Sequence, residues 1–176
     1  MSRTIVPSVN LSKEYWGTVD DFADRREIIR EAISNSLDEA SNNIWIDIIL
    51  SEADKLMTIK IKDDGNGMND SKLETNFFGL GESDKENRDS IGEKGHGTKT
   101  YICGKKLLVE TIKNGQKTCA SMDDPISYRP KIPEVVIEDP VKTSESDGTL
   151  IIIKDISIDG NDIDVFRYGA LLAYIN

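Results

Sequence analysis

Three groups of residues in this chain have the types and spacing that chemistry needs. The first is Glu31, Asn35 and Asp38. A helix brings positions i, i+4 and i+7 onto one face, so a carboxylate, an amide and a second carboxylate would stand in a row. Spacing alone more often describes a solvated polar face, although Asn and Asp are poor mid-helix residues and Glu31 has no lysine four residues on. The second group is Asp63 with Gly65 and Gly67, in KIKDDGNGM. A carboxylate held where a strand meets a glycine turn can accept a hydrogen bond from an exocyclic amine, and glycine lets backbone approach a ligand closely. Asp-Gly is also a favoured turn dipeptide. As a calcium loop the segment lacks the acidic spacing and the closing Glu.

The third group is the loop IGEKGHGTKTYICG, with Gly92, Gly95 and Gly97 ahead of a helix-like start. Successive bared N–H groups and the helix dipole favour phosphate there, and Lys99 has the length to reach a terminal phosphate. It is not a P-loop, because Thr98 stands where lysine should follow Gly97. Nor is it the dinucleotide fingerprint, whose last glycine would fall on Thr100. His96 is the sole histidine. With no cysteine or histidine beside it, it reads as a loop residue and not as a zinc ligand.

The elements that must position these groups follow from periodicity. Residues 1–19 are polar and irregular, read as a strap or edge strand. Thr18, Asp20 and Asp21 offer N-caps for a helix through FADRREIIREAISNSLDEA, with Ile29, Ala32, Ile33, Leu37 and Ala40 on its buried side. IWIDIIL and LMTIKIK read as a strand hairpin, the second with one packed and one wetter face. Eight glycines lie between Asp63 and Gly104, at 65, 67, 79, 81, 92, 95, 97 and 104. Among them GESDKENRDS, charged and aperiodic, reads as a mobile lid. LLVETIK and QKTCASM flank Asn114-Gly115, a strong hairpin signal. The proline-bearing stretch 123–148 mixes strand and loop, GTLIIIKDISI is a buried strand, and VFRYGALLAYIN begins a helix that reads as cut from a longer polypeptide.

The bulk properties narrow the class. At 176 residues, 38% hydrophobic and 31% charged, the chain suits one globular domain. It carries no apolar run long enough for a membrane span and no secretion signal, so a cytoplasmic setting is expected. The net charge of −10 argues against gripping a nucleic-acid backbone through this domain alone. Cys103 and Cys119 form no CxxC pair and read as half-buried thiols, with a disulfide left open.

Taken together and in order, ExxxNxxD on a helix, DxGxGM after a strand, GxxGxG and a late Gly-Thr resemble the Bergerat-fold pattern of the GHKL ATPases: gyrase, the ninety-kilodalton heat-shock chaperone, histidine kinases and MutL. The resemblance covers roughly residues 20–155 and leans to the chaperone-like or MORC-like branch. It implies an α+β, two-layer sandwich with helices on one face of a mixed, mainly antiparallel sheet, in residues 20–176. It also implies ATP with Mg²⁺ as cofactors, slow hydrolysis, and lid closure coupled to an ATP-dependent homodimer. Carried over by position, Glu31 is the general base, Asn35 the magnesium ligand, and Asp63 the partner of the adenine amino group with Thr149 in support. Asp38 stands near base or ribose, Gly67 belongs to the adenine turn, Met68 packs on adenine, and Asn76 and Phe77 line the pocket. Gly92, Gly95, His96, Gly97, Thr98 and Lys99 hold the phosphates. Two other readings stay open: a histidine-kinase-type catalytic domain, and a nucleotide-binding interaction module without turnover.

Overall fold

The computed structural model describes residues 4–22, 24–80 and 97–175. The expected lid, Gly92, Gly95 and His96 lie outside the described residues.

The backbone is organised around one sheet. β1 (Ile44–Ser51) and β2 (Leu56–Asp63) form the first hairpin, paired without interruption from Ile44 opposite Asp63 to Ser51 opposite Leu56. β3 (Lys106–Lys113) and β4 (Gln116–Asp123) form the second. Its turn residues Asn114 and Gly115 both take positive φ, at 52° and 72°, as the tight hairpin they announce requires. β5 (Val136–Ile137) and β6 (Val141–Lys142) are two-residue strands on β4. β7 (Gly148–Ser157) inserts between the hairpins, giving the order β1-β2-β7-β3-β4-β5. Every pairing among the described strands is antiparallel, in line with the mainly antiparallel sheet expected.

Alternation along the strands sends Met57, Ile59, Ile61, Leu107, Val109, Ala120, Met122, Ile151 and Ile153 to one face, where all are buried. Against them lies α2 (Glu27–Asp38) through Ile28, Ile29 and Ala32. The buried face of α2 departs from the sequence reading at its end. Leu37 is 52% exposed and Ala40 is exposed, whereas Ser34 and Ser36 are buried. The helix closes on the sheet through a small polar residue because Ser36 bonds the end of β2, and a leucine there would hold the two apart.

Residues 11–20 are not an edge strand. They form α1 (Leu11–Asp20), capped by the Asn10 side chain, which accepts from the Lys13 amide at 3.0 Å. Tyr15, Trp16 and Thr18 are its buried residues, and the Trp16 indole N–H donates to the Lys131 carbonyl at 2.9 Å while Arg129 lies over its ring. The sequence hid this helix because its apolar face is two aromatics wide. Thr18 and Asp20 accordingly belong to α1, Asp21 is its C-cap, and none of them caps α2, whose N-cap residue Arg26 makes no side-chain cap bond; just ahead of that helix the Asp24 carboxylate accepts the Arg26 amide at 3.0 Å. The chain after β2 enters α3 (Asp70–Lys72), which continues as a π-helical turn, Leu73–Phe78. A 3-10 turn, Gly97–Tyr101, leads into β3. After β7 come α4 (Gly160–Val165) and α5 (Tyr168–Ile175).

Candidate functional site

α2 places the expected row as its pitch dictates. The Asn35 amide donates to Glu31 Oε1 at 2.9 Å, one helical turn apart, and Asp38 follows, half-buried, on the same side. The bond commits the Asn35 N–H₂ to Glu31 and leaves its carbonyl oxygen as an acceptor. Gly97 lies against this pair: a Cβ there would overlap the Glu31 carboxylate. The acid of α2 and the entry to the 3-10 turn are therefore in contact, and a side chain at position 97 would have to displace the Glu31 carboxylate.

Asp63, the last residue of β2, is 8% exposed. It accepts from the Gly65 amide at 2.9 Å and from the Ser36 hydroxyl at 3.3 Å. Burial pushes its carboxyl above the ordinary aspartate range, against the pull of the hydrogen bonds from Gly65, Ser36, Thr149 and Ser41. Ser36 thus ties the carboxylate directly to the helix that bears Glu31 and Asn35.

Register completes the group. Asp63 pairs with Thr149 on β7, and Thr149 with Thr111 on β3. Thr111 is fully buried. Its hydroxyl accepts from the Met68 amide at 2.7 Å and lies 3.4 Å from the Thr149 hydroxyl. Sequence reasoning found Thr149 and missed Thr111, whose only signal was a polar β-branched residue in the apolar parity of LLVETIK. Gly67, at φ 58°, sits so close to the Ile112 carbonyl that an added Cβ would overlap it. Gly148, at φ 152°, packs in the same way on the Asp63 carbonyl. A cavity of about 370 Å³ opens beyond Met68, between Asn69, Lys113 and Thr118.

The remaining predicted residues fall elsewhere. Phe77 is 6% exposed, stacked on Tyr101 at 5.8 Å between ring centroids, so its ring belongs to the core beneath the site. Asn76 is half-buried in the π-helical turn and accepts from the Thr75 hydroxyl at 2.6 Å. The Lys99 ammonium does not project outward. It is 1% exposed and donates to the carbonyls of Gly79 at 2.7 Å and Phe77 at 3.2 Å. The Thr98 hydroxyl donates to the same Phe77 carbonyl at 2.7 Å. Burial lowers the Lys99 ammonium to about 8. Spacing after a glycine loop cannot tell which side of a 3-10 turn a side chain leaves by. Tyr101, which sequence reasoning also missed, is fully buried beside Glu31 and Asn35. Burial first, and the Glu31 charge second, push its phenol upward.

The model of the family described as "Histidine kinase-, DNA gyrase B-, and HSP90-like ATPase" matches residues 25–146, more than half of the chain. The chain belongs to this family. The structure of this GHKL domain is similar to the ATPase region of Saccharomyces cerevisiae topoisomerase II, with a TM-score of 0.52 and 18% identity. The similarity covers 74% of this chain and 37% of that one, and at that identity it bears on the fold alone. No curated protein matches the GHKL chain. Among the described residues no helix is long and apolar enough to cross a membrane.

Proposed function

We propose that this GHKL domain binds Mg-ATP between α2 and the ends of β2, β7 and β3, and hydrolyses it slowly. The observation that carries the proposal is the Ser36–Asp63 hydrogen bond. It joins a buried carboxylate suited to an adenine amino group to the helix whose Glu31–Asn35 pair adjoins Gly97. The base then sits at Asp63, Thr149 and Thr111 with Met68 over it, Asp38 stands toward base or ribose, and the triphosphate runs past Asn35 toward Gly97.

The donor set fits magnesium. Among the described residues no group of three or more His, Cys, Asp or Glu side chains could cage a metal. A hard cation bound through the Asn35 carbonyl oxygen would take its other ligands from phosphates and water, as Mg²⁺ does. Asn35 orients the Glu31 carboxylate, and Glu31 accepts a proton from the attacking water. Gly92, Gly95, His96, Gly97 and Thr98 offer phosphate N–H groups. Lys99, in the arrangement seen here, steadies the carbonyls of Phe77 and Gly79, and its contact with phosphate follows if those bonds are exchanged. Closure of residues 81–90 over the nucleotide, an ATP-dependent homodimer, a cytoplasmic setting and a place in the chaperone-like or MORC-like branch complete the proposal.

Glu31→Ala decides the catalytic assignment: ATP affinity stays within a few-fold of the parent while turnover disappears. Lost affinity with normal turnover per bound nucleotide contradicts it. Thermal unfolding tests the ligand itself. Mg-ATP at 100 times its Kd raises stability by about 2.7 kcal/mol, and Asp63→Asn removes that gain; an absence of any shift in the parent rejects ATP as the ligand.

A further inference from the structure

The two edges of the sheet are built differently. At one end β5 is two residues long, and Pro133 and Pro140 flank it. Short strands and prolines are how natural sheets blunt an edge. At the other end β1 offers eight residues, Ile44–Ser51, with no proline, glycine, lysine or bulge. Among the described residues only β2 pairs with it. Its outward row is Trp45, Asp47 and Ile49, the two apolar members being 50% and 52% exposed. Its inward row, Ile44, Ile46, Ile48 and Leu50, is only partly buried at the margin of the core. Such an edge carries unpaired backbone donors and acceptors beside incompletely covered apolar side chains, the arrangement that takes up an added strand.

We propose that β1 is a docking edge for an extended segment of a partner polypeptide, with apolar residues on its inward side and an apolar–basic–apolar row outward. Asp47 selects the occupant. Two copies paired antiparallel about Asp47 would set it against itself, and like charges directly opposite destabilise a pair. Moving the centre by one residue sets the carboxylate against Trp45 or Ile49 instead. Each copy also carries a net charge of −10. A foreign strand with lysine or arginine opposite Asp47 meets neither obstacle, and its flanking apolar residues cover Trp45 and Ile49. Nucleic acid is disfavoured by the same net charge.

The full 176-residue chain is titrated with capped octapeptides whose inward residues are valine and threonine and whose outward residues are Val-Arg-Val or Val-Glu-Val. The arginine peptide binds at least tenfold more tightly, slows amide exchange along β1, and loses binding when alternate peptide nitrogens are methylated. Asp47→Lys, an exposed change on the outer face, reverses the preference. Mg-ATP affinity is unchanged throughout, which separates this edge from the nucleotide site. Equal binding of both peptides, binding by neither, exchange protection away from β1, or tolerance of N-methylation overturns the proposal. So does self-association of the wild-type chain through β1 in sedimentation, or displacement of the arginine peptide by single-stranded DNA.

Discussion

At the scale of single residues, two buried ionisable groups oppose the folded state in opposite pH ranges. The folded carboxyl of Asp63 titrates above its unfolded value, so the native state holds its proton longer. Stability therefore falls as pH rises through that interval, and the full penalty applies at neutral pH. Chemical denaturation of wild type and Asp63→Asn between pH 7 and pH 4 tests this: any advantage of the Asn variant narrows as the solution is acidified. Lys99 runs the other way. Its ammonium is lowered to about 8 from the ordinary 10.5, so the native state releases its proton first as pH rises. Wild type gains stability relative to Lys99→Met between pH 8 and 10.5, and a flat difference across that range would show that the ammonium is not desolvated. Gly67 is fixed by geometry instead of charge. Gly67→Ala must relieve both a positive φ and an overlap with the Ile112 carbonyl, at a cost of roughly 1–3 kcal/mol in urea unfolding.

At the scale of elements, the approach of α2 to the sheet is set by the size of the residue between them. Ser36→Leu places a large side chain where the helix meets β2, costing about 1–3 kcal/mol through overpacking and removing the bond to Asp63. Leu37→Ala next to it stays within about 0.5 kcal/mol, because Leu37 faces solvent. Urea midpoints for the two variants separate this arrangement from the one periodicity suggests. The helix itself, both hairpins and the late strand were legible in the sequence, since each combines a clear period with a recognised turn or cap. The register of Asp38 and Asn35 with Glu31 was legible for the same reason. The exact buried face was not. A serine that bonds a distant carboxylate carries no signature in a single chain, and hydrophobicity alone favoured Leu37. α1 was hidden for a related reason: its anchor is the Lys131 carbonyl, 115 residues away, and a long-range partner leaves no trace in local pattern.

For the whole molecule, the candidate site was legible in its list of residues more than in its assembly. Glu31, Asn35, Asp63, Gly67 and Thr149 are brought to one side of the sheet by α2 and three adjacent strands. Thr111 and Tyr101 join them only through strand pairing and core packing, which no motif records. Phe77 and Lys99 are adjacent to the motif in sequence, yet packing sends the one into the core and the other to main-chain carbonyls. Anchoring of α1 is also a property of the assembled molecule, because it links the start of the chain to the segment after β4. Trp16→Ala costs about 3–5 kcal/mol, whereas Asp20→Ala, which breaks an exposed pair with Arg129, costs no more than about 1 kcal/mol. Calorimetric unfolding distinguishes the two.

The chain's two tryptophans stand in contrasting surroundings, Trp16 at 6% exposure on the buried side of α1 and Trp45 at 50% on β1. Their emission is consequently a two-channel reporter without any added label. A soluble quencher extinguishes the Trp45 component at low concentration and leaves the shielded indole shining. Detachment of the N-terminal helix and occupation of the sheet edge can then be followed separately, in one cuvette, by colour and by quenching.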